Sequence, residues 1–477
     1  MSKFLNTIVQ RLTKEEIRFF KLFLNRTNAK NRKDVDLFDL MRKKRDDLNT
    51  DEALNKLKIN SNNYYQIKNR LYNELNNSMI WQHIWKDNQS KSFSFVLLSR
   101  VYKNKCELEL AFHYLLKAEK EAINSQLYEI LSIIYTEIIQ LSHELISVEV
   151  DTYIDLKKQN LKTLNQIDEI DMLLAKVMHE FKKKQNFGKL DNELIVSISN
   201  KYSQSLENDN LIDKPRFRLK LFKMYSRILL EKRDYVSLEV FLLKSYNSFI
   251  SDNIFDRSNH NDKLTLLTYL SNCFYKTKKY KKSLEFANKL YLSMQEHDSL
   301  LYDKYLFYYY NALVLNYSKT DKDKALKFID QASKNEIITS LPAYSAFIYL
   351  NRAIIFYYKN NFKEAIKNLS RLTLLEDFLL LDKSFQLKIL IVDVMMRWRN
   401  QANDILDRIS EIKNGYKSIL SNVELKREKD FINIIFNSVN SIKIDDLKTQ
   451  FLTSLSDSES EEIDIISYNS WLRNYLK

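Results

Sequence analysis

The side chains on which metal or nucleophilic chemistry could rest are few: six histidines and two cysteines in 477 residues. His83, His113, His143, His179, His260 and His297 never fall at the four-residue spacing that puts two imidazoles on one helix face, and none has a cysteine at ligand spacing. Paired Glu-x-x-His motifs of the kind that build carboxylate-bridged metal sites in helical bundles do not occur either. Cys106 and Cys273 lie far apart and read as small apolar residues of a reducing compartment. Glycine removes further classes. Gly188 and Gly415 are the only two, so no phosphate-binding loop, dinucleotide fingerprint or nucleophile elbow can form, since each needs two or more glycines within a few residues. No catalytic residue, metal or cofactor is expected, and the chain reads as a non-enzyme.

The same scarcity decides the fold class. An average chain has about 7% glycine and about 5% proline; this one has two of each, the prolines being Pro215 and Pro342. Hairpin turns of β-sheets draw on glycine for left-handed backbone. Helices need little of it, and asparagine, which is abundant here, can take the left-handed cap. An all-α chain follows. No run approaches the roughly 18 apolar residues of a membrane span, and the start of the chain lacks the apolar stretch of a secretory signal, so a cytoplasmic protein without membrane insertion is expected. The abundance of Lys, Asn, Ile and Tyr points to an AT-rich bacterial coding sequence.

Residues 1–90 carry a concentrated share of the net charge of +13, which favours an acidic partner. Thr13 with Glu16 forms a capping box ahead of Ile17, Phe20, Leu22, Phe23 and Leu24. A second helix is predicted over 35–44, and a short third one after Asn49. A long fourth starts at Asn60 or Ser61 and carries Tyr64, Ile67, Leu71, Leu75 and Met79 on one face. The stretch Ala53, Leu57, Ile59, Tyr64, Ile67 and Leu71 is similar to a bacterial helix-turn-helix, although Lys58 stands where the turn usually has glycine. The resemblance implies a groove-reading helix offering Asn62, Asn63, Gln66, Lys68 and Arg70, with Arg42, Lys43, Lys44 and Arg45 on the phosphate backbone.

Residues 91–400 read as helical hairpins of near-constant length. Ser99, Tyr102, Leu108, Ala111, Leu115 and Ala118 set a pattern of small residues where helices cross and large ones where a hairpin fills its core. Ser271, Phe274, Tyr280, Ser283, Ala287 and Leu290 repeat it, as do Ala353, Phe356, Phe362, Ala365, Leu369 and Leu372. Ser226, Tyr235 and Leu238 give a weaker copy, and Asn316, Ala325 and Phe328 a looser one. The pattern resembles the tetratricopeptide repeat. Its markers at 238, 283, 325 and 365 are separated by 45, 42 and 40 positions, longer than that family's period of about 34. A lone helical hairpin cannot bury both apolar faces, so such units stack. The tyrosine-rich stretch Tyr302, Tyr305 and Tyr309 is a candidate groove for a peptide.

Residues 401–477 read as capping helices, with an acidic loop over 456–464 and a last helix bearing Tyr468, Trp471 and Tyr475. The sequence thus implies an N-terminal helical bundle followed by an α-α superhelix, a solenoid of stacked hairpins. The first function it suggests is a non-enzymatic scaffold for a protein or peptide. The alternative is a DNA-binding transcription regulator that touches nucleic acid through residues 1–90 and uses the repeats as a sensor or dimerisation domain.

Overall fold

A computed structural model describes residues 2–26, 32–44, 49–183, 214–341, 344–422, 425–440, 442, 444–456, 460, 463 and 464–476. Every element among them is helical. No helix there is long and apolar enough to cross a membrane. The chain divides into two compact units, Met1–Asp168 and Glu169–Lys477.

The first unit begins with α1 (Ser2–Arg11), α2 (Lys14–Asn25), α3 (Lys33–Lys44), α4 (Thr50–Leu57) and α5 (Ser61–His83). The sequence reading lacked α1. Its apolar content is thin, but Leu5 and Val9, four residues apart, are both fully buried. They join Phe20, Leu24, Leu37, Phe38, Leu71 and Leu75 in one core. The Thr13 capping box forms as expected, with the Glu16 amide donating to Thr13 Oγ1 at 3.2 Å and the Thr13 amide to Glu16 Oε2 at 2.7 Å. Leu22, expected inside, is 61% exposed. Asn49 precedes α4 without a side-chain cap bond, whereas Asn60 caps α5 by accepting from the Asn63 amide at 2.8 Å. Between them Lys58 adopts φ 50° and ψ 55°, the left-handed conformation for which a helix-turn-helix usually uses glycine.

The hairpins then follow: α6 (Asn88–Lys103) with α7 (Leu108–Asn124), and next α8 (Tyr128–Leu141). The boundary between the units falls within α9 (Val150–Lys183). In the second unit α10 (Pro215–Glu231) pairs with α11 (Tyr235–Ser251), α12 (His260–Lys276) with α13 (Tyr280–Ser293), α14 (Tyr302–Thr320) with α15 (Lys322–Ser333), and α16 (Tyr344–Tyr358) with α17 (Phe362–Thr373). Consecutive pairs also pack on each other, α11 on α12, α13 on α14, α15 on α16. The chain therefore stacks hairpins in sequence order. The C-terminal helices are α18 (Lys383–Arg399), α19 (Ile405–Gly415), α20 (Lys426–Val439), α21 (Asp445–Ser454) and α22 (Tyr468–Tyr475). Asn414-Gly415, an Asn-Gly pair that could turn a β-hairpin, closes α19 instead.

One crossing geometry recurs. Ser99 and Ala111, Ser226 and Leu238, Ser271 and Ser283, Leu313 and Ala325, and Ala353 and Ala365 are each twelve positions apart, and all ten are buried. Eight of the ten are serine or alanine, small enough to let the helix backbones approach closely, and Leu238 and Leu313 are the two larger members. At the α12–α13 crossing the hydroxyls add polar ties: Ser283 Oγ donates to the Ser271 carbonyl at 2.7 Å and accepts from Asn316 Nδ2 at 2.8 Å.

One turn recurs as well. The last residue before the second helix sends its amide back to a carbonyl five residues earlier: Glu107 to Tyr102 at 3.0 Å, Asp234 to Leu229 at 3.0 Å, Lys279 to Phe274 at 2.8 Å, Asn361 to Phe356 at 2.9 Å. This bond belongs to the Schellman motif, which requires left-handed backbone at the residue before the amide. That residue is Cys106, Arg233, Lys278 or Asn360, with φ of 60°, 55°, 61° and 59°. Asparagine thus takes only part of the role expected of it, and cysteine, arginine and lysine take the rest. Cys106 is exposed for this reason rather than buried, while Cys273 is buried, its thiol donating to the Tyr235 carbonyl at 3.1 Å and pushed up to about 12 by burial.

Candidate functional site

Three successive hairpin turns in the second unit stand together. Tyr275 and Lys276 end α12, Lys278 forms the left-handed turn and Tyr280 opens α13. Lys319 sits at the end of α14. Tyr357 and Tyr358 end α16, and Asn360 forms its turn. These residues line a cavity of about 710 Å³, closed on the other side by 464–467 and by Ser470, Trp471, Asn474 and Tyr475 of α22. Equivalent positions of the repeat converge because each hairpin presents the same end to the same side.

The lining is aromatic and cationic. Lys319 Nζ lies 5.4 Å from the centre of the Tyr358 ring, and the Tyr358 carbonyl accepts from Lys322 Nζ at 2.7 Å. Burial pushes the Tyr275 phenol up to about 12, and it raises Tyr357 further, with the Tyr475 phenol alongside. Arg399 stacks over Tyr475 at 3.7 Å from the ring centre and fixes that wall. Asp464 is the acidic member. Arg427 pairs with its Oδ2 at 3.0 Å, and the Tyr468 amide and Ser460 hydroxyl donate to the same atom at 3.0 Å and 2.6 Å. Its Oδ1 and the Trp471 Nε1 are buried without a hydrogen bond. A space of this size with aromatic walls and lysines at its edge can take up an aromatic or acidic group of a ligand.

The expected tyrosine groove is placed differently. Tyr305 is buried, its hydroxyl 2.7 Å from Thr265 Oγ1 and 3.0 Å from Asn261 Oδ1, so it ties α14 to α12 and is closed to a peptide. Tyr302 and Tyr309 are half-buried against Tyr291 of α13, with ring centres at 6.4 Å and 4.7 Å. Tyr302 and Tyr309 thus pack between α13 and α14, and Tyr305 between α14 and α12. Of the tyrosines of the cavity, the sequence marked Tyr280 as a hairpin position and Tyr475 as part of the last helix, and assigned none to a binding site. The available signal was their recurrence at the ends of first helices, in Tyr275-Lys276 and Tyr357-Tyr358-Lys359.

The basic residues of 1–90 scatter in role. Asn62, Asn63 and Gln66 are exposed on α5, and Lys43 is exposed on α3. Lys68 is half-buried, its Nζ 5.6 Å from the Tyr64 ring centre. Arg70 reaches back to the buried Asp34 at 3.4 Å. Arg42 donates to the Val9 carbonyl at 3.3 Å, and Lys44 pairs with Glu52 at 3.1 Å. Arg45 and part of the acidic loop, 457–459 and 461–462, lie outside the described residues. No protein-family model matches the chain, and no curated protein matches it either.

Proposed function

We propose that the protein is a non-enzymatic scaffold of tetratricopeptide type that holds a peptide segment of another protein. The observation that carries this reading is the cavity where three successive hairpin turns bring Lys276, Lys319, Tyr280 and Tyr358 together. Helical-repeat proteins bind along surfaces that the stacking of equivalent positions creates, and lysines beside aromatic rings suit an acidic peptide carrying an apolar anchor.

A second reading, a nucleic-acid-binding regulator, rests on α5. Its exposed Asn62, Asn63 and Gln66 are residue types that pair with base edges. Arg42, Lys44 and Arg70 make contacts within the bundle, to the Val9 carbonyl, Glu52 and Asp34, which supports the scaffold ahead of it.

Pull-down of the tagged full-length protein from its host, with and without nuclease, separates the two. The expected result is a protein client that survives nuclease and is lost when Lys319→Glu and Tyr358→Ala are combined. Retention of the client by that double variant sinks the cavity. Nucleic acid that co-purifies and is lost in Asn62→Ala with Gln66→Ala promotes the regulator.

A further inference from the structure

His260 is the first residue of α12 and is 1% exposed. Neither ring nitrogen makes a hydrogen bond; the Ser293 main chain approaches the ring without good bonding geometry. A buried imidazole with both nitrogens unspent is uncommon, because desolvating such polar groups costs about 1–3 kcal/mol each. The ring faces two groups from the connection between α13 and α14. The His297 ring meets it edge-on at 4.9 Å between centres. Glu296 Oε2 lies 3.9 Å from His260 Nδ1. One ligand-type atom from each of the three lies within 4.8 Å of the others.

From this we infer that His260, Glu296 and His297 form a binding site for one divalent transition ion of the borderline class, zinc first. Two imidazoles and one carboxylate are a donor set that suits zinc, whereas calcium and magnesium ask for six or more oxygens. Zinc bonds of about 2.0–2.1 Å put tetrahedral ligand atoms roughly 3.3 Å apart. Closing from the observed spacing requires only small turns of Glu296 and His297, both half-buried at the rim, while His260 stays fixed in the core. The open rim leaves the fourth position to water.

The surroundings fit a held ligand set. Lys263 contacts both Glu296 oxygens, at 2.7 and 2.8 Å. When one oxygen turns to the ion, the other keeps Lys263, which then orients the carboxylate as an outer partner. Arg257 braces the connection by donating to the His297 carbonyl at 3.4 Å and pairing with Asp298 at 3.1 Å. The connection runs through left-handed backbone at His297, Asp298, Ser299 and Leu301, with φ of 53°, 62°, 59° and 66° and no glycine among them. A metal bond from His297 to α12 would hold this turn and tie two successive hairpins at their ends.

Cobalt titration of the full-length protein tests the site, followed by zinc displacement and equilibrium dialysis against zinc. Wild type is expected to show visible bands of a four-coordinate cobalt site, saturating at one equivalent and bleached by zinc. His297→Ala and Glu296→Gln, both at the rim, should weaken binding by at least about tenfold, and His113→Ala should leave it unchanged. Zinc should raise the thermal midpoint of wild type and of His113→Ala but not of His297→Ala. Absence of saturable cobalt and zinc binding in wild type overturns the inference, and so does wild-type affinity in His297→Ala.

Discussion

Cys106, Arg233, Lys278 and Asn360 hold left-handed backbone where four of the five hairpins turn. For an L-residue this conformation costs roughly 1–2 kcal/mol, and asparagine carries less of that cost than lysine because its short side chain bonds locally. Glycine would relieve the strain but add freedom to the unfolded chain, which takes back about 0.4–1 kcal/mol. Lys278→Gly is therefore expected to stabilise the second unit by about 0.5–1 kcal/mol, with Asn360→Gly giving less. Denaturant midpoints of the two variants check this, and a midpoint that falls in both would show that the turns are not strained. At this scale the sequence was readable where residue type and local spacing carried the meaning. Ser271 with Ser283 and Ala353 with Ala365 could be picked out because a close crossing demands small side chains at a fixed offset. His260 and His297 could not, because what brings them together is the path of the connection after α13, which no local spacing encodes.

An element in this chain is defined by its crossing partner more than by its own propensity. Ala365 of α17 is fully buried and faces α16 at the position of Ala353. A larger side chain there must push the two helices apart along their contact. Ala365→Leu is expected to destabilise by about 1–3 kcal/mol through overpacking, whereas Leu374→Ala, just beyond the same helix and 85% exposed, should leave the thermal midpoint unchanged. Circular dichroism melts of the two variants distinguish a crossing constraint from a general need for leucine. The helices that escaped the sequence reading are instructive in the same way. In α1 only Leu5 and Val9 carry the buried face, and their partners Leu37 and Phe38 come from α3. The cavity escaped it because one wall comes from 464–475, a segment whose contact with Tyr357 and Lys319 is created by packing rather than by repeat pattern. Conversely, the density of tyrosine over 302–310 suggested a groove, yet Tyr305 is buried against α12, and Tyr302 and Tyr309 pack on Tyr291 of α13.

For the molecule, stacking in sequence order means that stability should travel between neighbours. Within the second unit one core runs from α10 to α16 and another from α16 to α22, with α16 contributing to both. The far end of the second core is closed by α22. Trp471 is 1% exposed and packs edge-on against Trp398 at 5.1 Å and Phe431 at 5.7 Å, while Tyr468 stacks on Phe431 at 4.1 Å. Removing a buried tryptophan costs about 3–5 kcal/mol. In a globular domain that loss would be shared by every residue. In a one-dimensional array each unit feels its neighbours, so the loss should fade with distance from the damaged end. Trp471→Ala is therefore expected to cut amide hydrogen-exchange protection most in α18 and α20, less in α16 and α17, and least in α10 and α11. Mass spectrometry of the exchanging full-length protein reads this gradient directly. A uniform loss across the second unit would show that its hairpins unfold as one cooperative body. A steep gradient would mean that α22 acts as a terminal cap of the stack.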